Sequence, residues 1–300
     1  MMNHRNRLPQ FCFKEGNAMI TLRRRKDLPR SRTLHVTLLG VASALLITAC
    51  SSGEPSTADA NASSPAAETN GSFVVTYETA GNAENAAEET FLRDHRVLDD
   101  FADTMNSYVH IPRDVKVIAK DCGESNAYYV PDQHSIEVCY ELSAQERSSF
   151  SGAGDSGDSL DTAVYQSMVA TLYHEVGHAL IGELELKTTG REEDVADQMA
   201  AYILTSDDES KDYLLTTADS YALAGSRIEA LDDSAFADAH SLDAQRSVNF
   251  LCYVYGSDET TFQYLVDDGA LNSDRAEGCA GEYTQMSEAW EALLAQYVRG

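Results

Sequence analysis

His174-Glu175-Val176-Gly177-His178 sets two imidazoles four residues apart with a carboxylate beside the first. On a helix, residues i and i+4 share a face, so His174 and His178 can hold one tetrahedral zinc ion while Glu175 points toward its open coordination position. That arrangement is how a metallohydrolase places a base beside an activated water. Val169, Leu172, Val176, Ala179 and Leu180 supply core-facing positions around the motif, and a His-Glu-His set buried with no metal would be costly. The bland alternative is a solvated helix face.

A zinc ion needs a third protein ligand, and Gly190-Arg191-Glu192-Glu193-Asp194-Val195-Ala196-Asp197 offers carboxylates. Glu193 and Asp197 stand four apart on a second helix, so one can bind metal while the other accepts the remaining ring N–H of a ligand histidine. Here the chain resembles the gluzincin metallopeptidases, in which a glutamate helix with the pattern E-x-x-x-D follows the zinc helix. The resemblance implies His174, His178 and Glu193 as metal ligands, with Asp197 behind a histidine. Glu192 has Ala196 four residues on where an acid would stand. Asp194 is the competing third ligand, as in aspzincins.

Farther along, Asp238-Ala239-His240-Ser241-Leu242-Asp243-Ala244-Gln245-Arg246 resembles the His-Pro…Arg segment of the membrane-associated prenyl-protein and heat-shock metallopeptidases, with Ser241 in place of the proline. By that resemblance His240 is a catalytic residue that hydrogen-bonds an oxyanion, and Arg246 holds the active-site acids or the substrate. The competing expectation is that His240 caps the helix starting near Leu242 and Arg246 pairs with a surface acid. Together Asn126-Ala127-Tyr128-Tyr129, HEVGH, GREEDVADQ and the stretch from His240 to Tyr255 resemble a bacterial metallopeptidase-like family of unknown function, over roughly Phe73 to the C-terminus. The resemblance implies a zinc-dependent peptidase and no particular substrate. Fourteen residues between His178 and Glu193 leave little room for an inserted subdomain. In zincins an edge strand pairs with extended substrate, and Ile136 to Tyr140 is the candidate.

The elements that must position these residues are legible in outline. Phe73 to Tyr77, Val115 to Ala119, Ala127 to Val130 and Ser135 to Tyr140 read as strands, the last two joined by the turn Pro131-Asp132-Gln133-His134. Phe91, Leu98, Phe101, Met105 and Tyr108 fall at helical spacing and predict one long helix from Glu84 to Tyr108. Ser148 to Ser159, rich in Ser, Gly and Asp, reads as a loop. Helices are expected at Asp161 to Ile181, Glu193 to Ser206, Leu242 to Tyr255 and Met286 to Val298. Trp290 with Leu293, Leu294 and Tyr297 makes a core stripe, and His95, His110 and His134 stand alone. The expected fold class is α+β, with a small N-terminal antiparallel sheet, a zincin-type active-site helix and a mostly helical C-terminal half.

The N-terminal residues address the compartment. Arg23, Arg24, Arg25, Lys26, Arg30 and Arg32 precede an apolar run from Val36 to Ile47, too short to span a bilayer comfortably. Ile47-Thr48-Ala49-Cys50 resembles the lipobox of bacterial lipoproteins, which implies cleavage before Cys50 and its lipidation. Met19 is an alternative start to Met1, and the three arginines carry a faint twin-arginine signal. Residues 1–49 are thus read as a signal peptide, 50–72 as lipidated cysteine and flexible linker, and 73–300 as the metallopeptidase-like domain. Ser51 after the cysteine points to the outer membrane, facing the periplasm, if the cell is Gram-negative. In that oxidising compartment Cys122, Cys139, Cys252 and Cys279 are expected to pair, Cys122 with Cys139 and Cys252 with Cys279, because each pair lies within one local unit.

Charge removes one partner class. The segment before Cys50 holds nine Lys and Arg against two Asp and Glu, which leaves 13 basic and 47 acidic residues after it, a formal charge of −34. Such a surface repels nucleic acid, whose binding relies on clustered cations. Two functions remain: a zinc endopeptidase acting on protein or peptide, anchored to the membrane through its N-terminal lipid, or a non-catalytic metal-containing lipoprotein acting as a binding or assembly module. Glu175 separates them, since a purely structural metal site has no use for an acid beside the open position.

Overall fold

The computed structural model describes residues 71–228, 231 and 233–299. The basic and apolar runs, Cys50 and the linker as far as Asn70 lie outside the described residues. Four strands, β1 (Phe73–Tyr77), β2 (Val115–Lys120), β3 (Ala127–Val130) and β4 (Ser135–Cys139), form one sheet in the order β1-β2-β4-β3. Between β1 and β2 run α1 (Ala83–Asp94) and α2 (Val97–Tyr108), and after β4 come α3 (Tyr140–Ala153) and α4 (Asp158–Glu183). The remaining helices are α5 (Glu192–Leu204), α6 (Lys211–Ser226), α7 (Asp233–Ala237), α8 (Asp243–Ser257), α9 (Tyr264–Asp267), α10 (Ser273–Ala276) and α11 (Cys279–Leu294). This is the expected α+β arrangement of a small N-terminal sheet with a helical C-terminal half.

Within that class the sheet is mixed, which corrects the antiparallel expectation. β1 runs parallel to β2 and β2 parallel to β4, and only the β3–β4 hairpin is antiparallel. The reason is the connection: two helices carry the chain from β1 to β2, long enough for a crossover that returns the next strand in the same direction. β4 is accordingly an inner strand, buried along its whole length. Ile136 to Tyr140 is therefore not the edge expected, and the edge on that side of the sheet is β3.

Two further expectations give way to packing. The single helix from Glu84 to Tyr108 breaks at Arg96, which adopts a left-handed conformation at φ 54°, so the two halves can bury Phe91 and Leu92 on one side and Phe101, Met105 and Tyr108 on the other. No glycine or proline marks that break. The Ser- and Gly-rich stretch after Ser148 stays helical to Ala153, because Ser149 and Phe150 are buried, and a left-handed Gly154 ends the helix. The loop is therefore only Gly154 to Gly157.

α4 occupies the centre. Its 26 residues span about 39 Å, and neighbours on several sides leave Val164, Met168, Leu172, Val176 and Leu180 fully covered. Both expected disulfides are formed, Cys122 to Cys139 and Cys252 to Cys279. They close loops of 17 and 27 residues, each worth about 3 kcal/mol by restricting the unfolded chain. The first ties the loop after β2 to the end of β4, and the second ties α8 to α11. No helix among the described residues is long and apolar enough to cross a membrane.

Candidate metal centre

α4 and α5 meet through small residues. A Cβ placed on Gly177 would lie 2.8 Å from the Cα of Ala196 and 3.2 Å from its Cβ, so the glycine inside the His-Glu-x-Gly-His run is what allows the two helices to approach. Ala196 and Ala200 are fully buried on the facing side. Close approach then lets side chains of both helices converge on one point.

That point is defined by three atoms. His174 Nε2 and His178 Nε2 lie 3.3 Å apart, and Glu193 Oε2 is 3.2 Å from the first and 3.1 Å from the second. A tetrahedral ion with bonds of about 2.0–2.1 Å separates its donors by roughly 3.3 Å, so the triangle has the edge length that such an ion requires. Each histidine also has its far ring nitrogen engaged by a carboxylate. His174 Nδ1 donates to Asp197 at 2.8 Å and His178 Nδ1 to Glu192 at 2.9 Å. With Nδ1 of each ring engaged, Nε2 is the nitrogen that faces the shared point, where a metal ion would take the place of its proton. The donor set and its spacing therefore fit a metal ion.

Behind the first shell of atoms, Arg246 forks onto Asp197, Nε to Oδ2 at 2.9 Å and Nη2 to Oδ1 at 2.7 Å. Burial pushes the Asp197 carboxyl upward, but Arg246 and His174 outweigh it and hold it at about 2. Burial would lower His174, yet its bonds to Asp197 and Glu193 raise it to about 9. Glu193 is held far below the usual carboxylate range by hydrogen bonds from His174, His178 and His240.

Glu175 is 5% exposed and close enough to His174, His178 and Glu193 to feel their charges. Burial pushes its carboxyl up, opposed by the charges of the two histidines. His240 Nε2 reaches Glu193 Oε2 at 2.9 Å, while its Nδ1 lies 3.1 Å from Asp238. The structure thus gathers His174, Glu175, His178, Glu193, Asp197, His240 and Arg246 into one region. Asp194 turns elsewhere: its Oδ1 accepts the Ser241 hydroxyl at 2.7 Å.

Two contributors were not anticipated. Glu192 was set aside for lack of an acid four residues on, yet it supports His178; the signal was that a second ligand histidine needs its own acceptor. Arg191 donates to the carbonyls of Asp238 and Ala239, fastening the segment that carries His240 to the start of α5.

No curated protein and no solved structure matches the chain. A family model described as "Putative metallopeptidase" does match, over residues 77–294, which takes in well over half of the chain and all of the converging side chains. With that span and a donor triangle sized for a metal ion inside it, the chain belongs to the family so described.

Proposed function

We propose that the chain is a zinc-dependent endopeptidase held at the cell envelope by a lipid on Cys50, with the polar stretch after it as tether. His174, His178 and Glu193 would hold the zinc, which when bound supplies Lewis-acid polarisation of a carbonyl and lowers the pKa of water. Glu175 takes a proton from the attacking water and passes it to the departing amine, a role favoured by a carboxyl that burial raises above its ordinary value. His240, beside Glu193 and steadied at Nδ1 by Asp238, donates to the developing oxyanion. Asp197, with Arg246 behind it, and Glu192 keep the two ligand histidines in the required tautomer and orientation.

The observation that carries this reading is Glu175: a buried acid next to the donor triangle that bonds neither its histidines nor its glutamate. A structural metal site would not maintain such a group against its desolvation cost. The test uses soluble protein starting after Cys50, assayed for zinc and against a quenched peptide library. About one zinc per chain is expected, and Glu175→Gln should keep the zinc while losing at least about 10²-fold in rate. Zinc-loaded wild type that cuts nothing in a diverse library would move the protein to the binding-module reading.

A further inference from the structure

Between α6 and α8 the chain passes beside the candidate metal centre as a strap, residues 238–242, with His240 in its middle. Phe236 to Ala239 are exposed, Phe236 at 68%, so apolar burial does little to hold the stretch in place. A segment that buries little opens at small cost unless polar bonds restrain it. Bonds of that kind come from the first turn of α5.

Arg191 caps α5 without turning its side chain onto the helix. Instead Nη2 donates to the Asp238 carbonyl at 2.9 Å and to the Ala239 carbonyl, and Nη1 to the Ser241 hydroxyl at 3.4 Å. That hydroxyl in turn donates to Asp194 Oδ1 at 2.7 Å. Within the strap, Asp238 Oδ1 accepts the His240 main-chain N–H at 2.8 Å and lies 3.1 Å from its Nδ1. Both chain neighbours of His240, and the residue that orients its ring, are therefore held from α5. Successive helix positions point about 100° apart, which lets one turn aim Glu193 at the donor triangle and Asp194 at the strap.

We infer that Arg191 and Asp194 are positioning residues: through Ser241 and the carbonyls of Asp238 and Ala239 they latch the strap to α5, and so fix where His240 Nε2 stands beside Glu193. A donor to a developing oxyanion works only within about 2.7–3.1 Å of it, and a misplacement of about 1 Å can cost as much as about 10²-fold in rate. The latch thus gives Asp194 a use other than metal binding, and gives the guanidinium of Arg191 a use other than surface charge. The kinetic half rests on the peptidase reading; the latch itself does not.

Soluble protein starting after Cys50 is compared with Arg191→Met, Asp194→Ala, Ser241→Ala and Ser241→Thr by hydrogen exchange, zinc content and steady-state cleavage of quenched peptides. Amides of residues 238–241 should exchange about tenfold faster in Arg191→Met and about fivefold faster in Asp194→Ala and Ser241→Ala, with α4 unchanged. Ser241→Thr keeps the hydroxyl and should restore wild-type exchange. All four should keep about one zinc per chain. In the three disruptive variants kcat should fall by the same factors with KM within about twofold, and adding Arg191→Met to His240→Phe should cost nothing more. Ser241→Ala changes no charge, so a loss in Arg191→Met that Ser241→Ala does not share would assign the effect to charge and overturn the latch. Unchanged exchange at residues 238–241 overturns it too, as does loss of zinc in Asp194→Ala, which would make Asp194 a ligand. If zinc-loaded wild type cuts no peptide, the peptidase reading fails, and exchange with zinc content still decides whether α5 holds the strap.

Discussion

Along one stripe of α4, Ser167 and His174 stand seven residues apart, about 10 Å along the axis, and each bonds a buried carboxylate from a neighbouring helix. Ser167 donates to Glu146 of α3 at 2.8 Å, and His174 to Asp197 of α5 at 2.8 Å. The two acids are comparably covered, at 8% and 7% exposure. Their other partners differ. Asp197 receives both arms of the Arg246 guanidinium, whereas Glu146 receives a second hydroxyl, Ser220 at 3.0 Å, and the nearby Arg227 bonds Ser149 in its place. Burial therefore wins at Glu146 and pushes its carboxyl up, and loses at Asp197, which is held at about 2. A buried acid that the fold keeps charged at the cost of burying an arginine serves the histidine it touches. One left to hydroxyls has no cation bonded to it to offset its burial.

The sharpest way to break this contrast is to remove the fork. Arg246→Met strands a buried carboxylate and should cost about 3–5 kcal/mol in urea unfolding. A loss under about 1 kcal/mol would mean that His174 alone keeps Asp197 charged. Next is Asp197→Asn, which retains the shape but removes the charge behind His174; zinc affinity in a chelator competition should fall about 10- to 100-fold, while Glu146→Gln leaves it unchanged. Equal affinities in the two variants would erase the functional difference between the two acids.

The pH dependence sharpens the contrast further. Asp197 titrates lower in the folded chain than its ordinary 3.8. Its contribution is therefore present above pH 3.8 and lost as pH falls through about 2, an acid-side loss of roughly 2 kcal/mol that Asp197→Asn should lack. Glu146 has the opposite sign. Its raised folded value makes ionisation a growing cost as pH climbs past 4.5, so Glu146→Gln should be more stable than wild type at pH 8, by about 1 kcal/mol, and no better at pH 4. Thermal melts at the two pH values check this, and a Glu146→Gln variant that is weaker at both would show that Glu146 stays charged.

How far the sequence alone reaches depends on the range of the interaction. The His174–His178 pair needs only one helix, and four-residue spacing guarantees a shared face whatever surrounds it. The same holds for Glu193 and Asp197 on α5, and for α4 itself, read as Asp161 to Ile181 within the observed Asp158 to Glu183. Disulfide partners were legible because each pair closes a short loop within one unit. Residue types thus marked the two histidines, the acid beside them and the α+β class before any tertiary contact was known, and left the third position between Glu193 and Asp194.

What tertiary structure decided was which pieces become neighbours. Parallel pairing of β1 with β2 depends on where a two-helix crossover lands, and no alternation pattern encodes that. The place of β3 rather than β4 at that edge of the sheet followed from the same placement. The break at Arg96 lies in a segment whose apolar spacing continues unbroken, since a left-handed residue there costs less than leaving one helix face unburied. The fates of the acids around the site, Glu192 to His178, Asp194 to Ser241 and Asp197 to Arg246, were settled by how closely Gly177 lets α5 approach α4. Carboxylates one residue apart on a helix point about 100° from each other, so a small rotation of one packed helix decides which of them meets the metal-binding face.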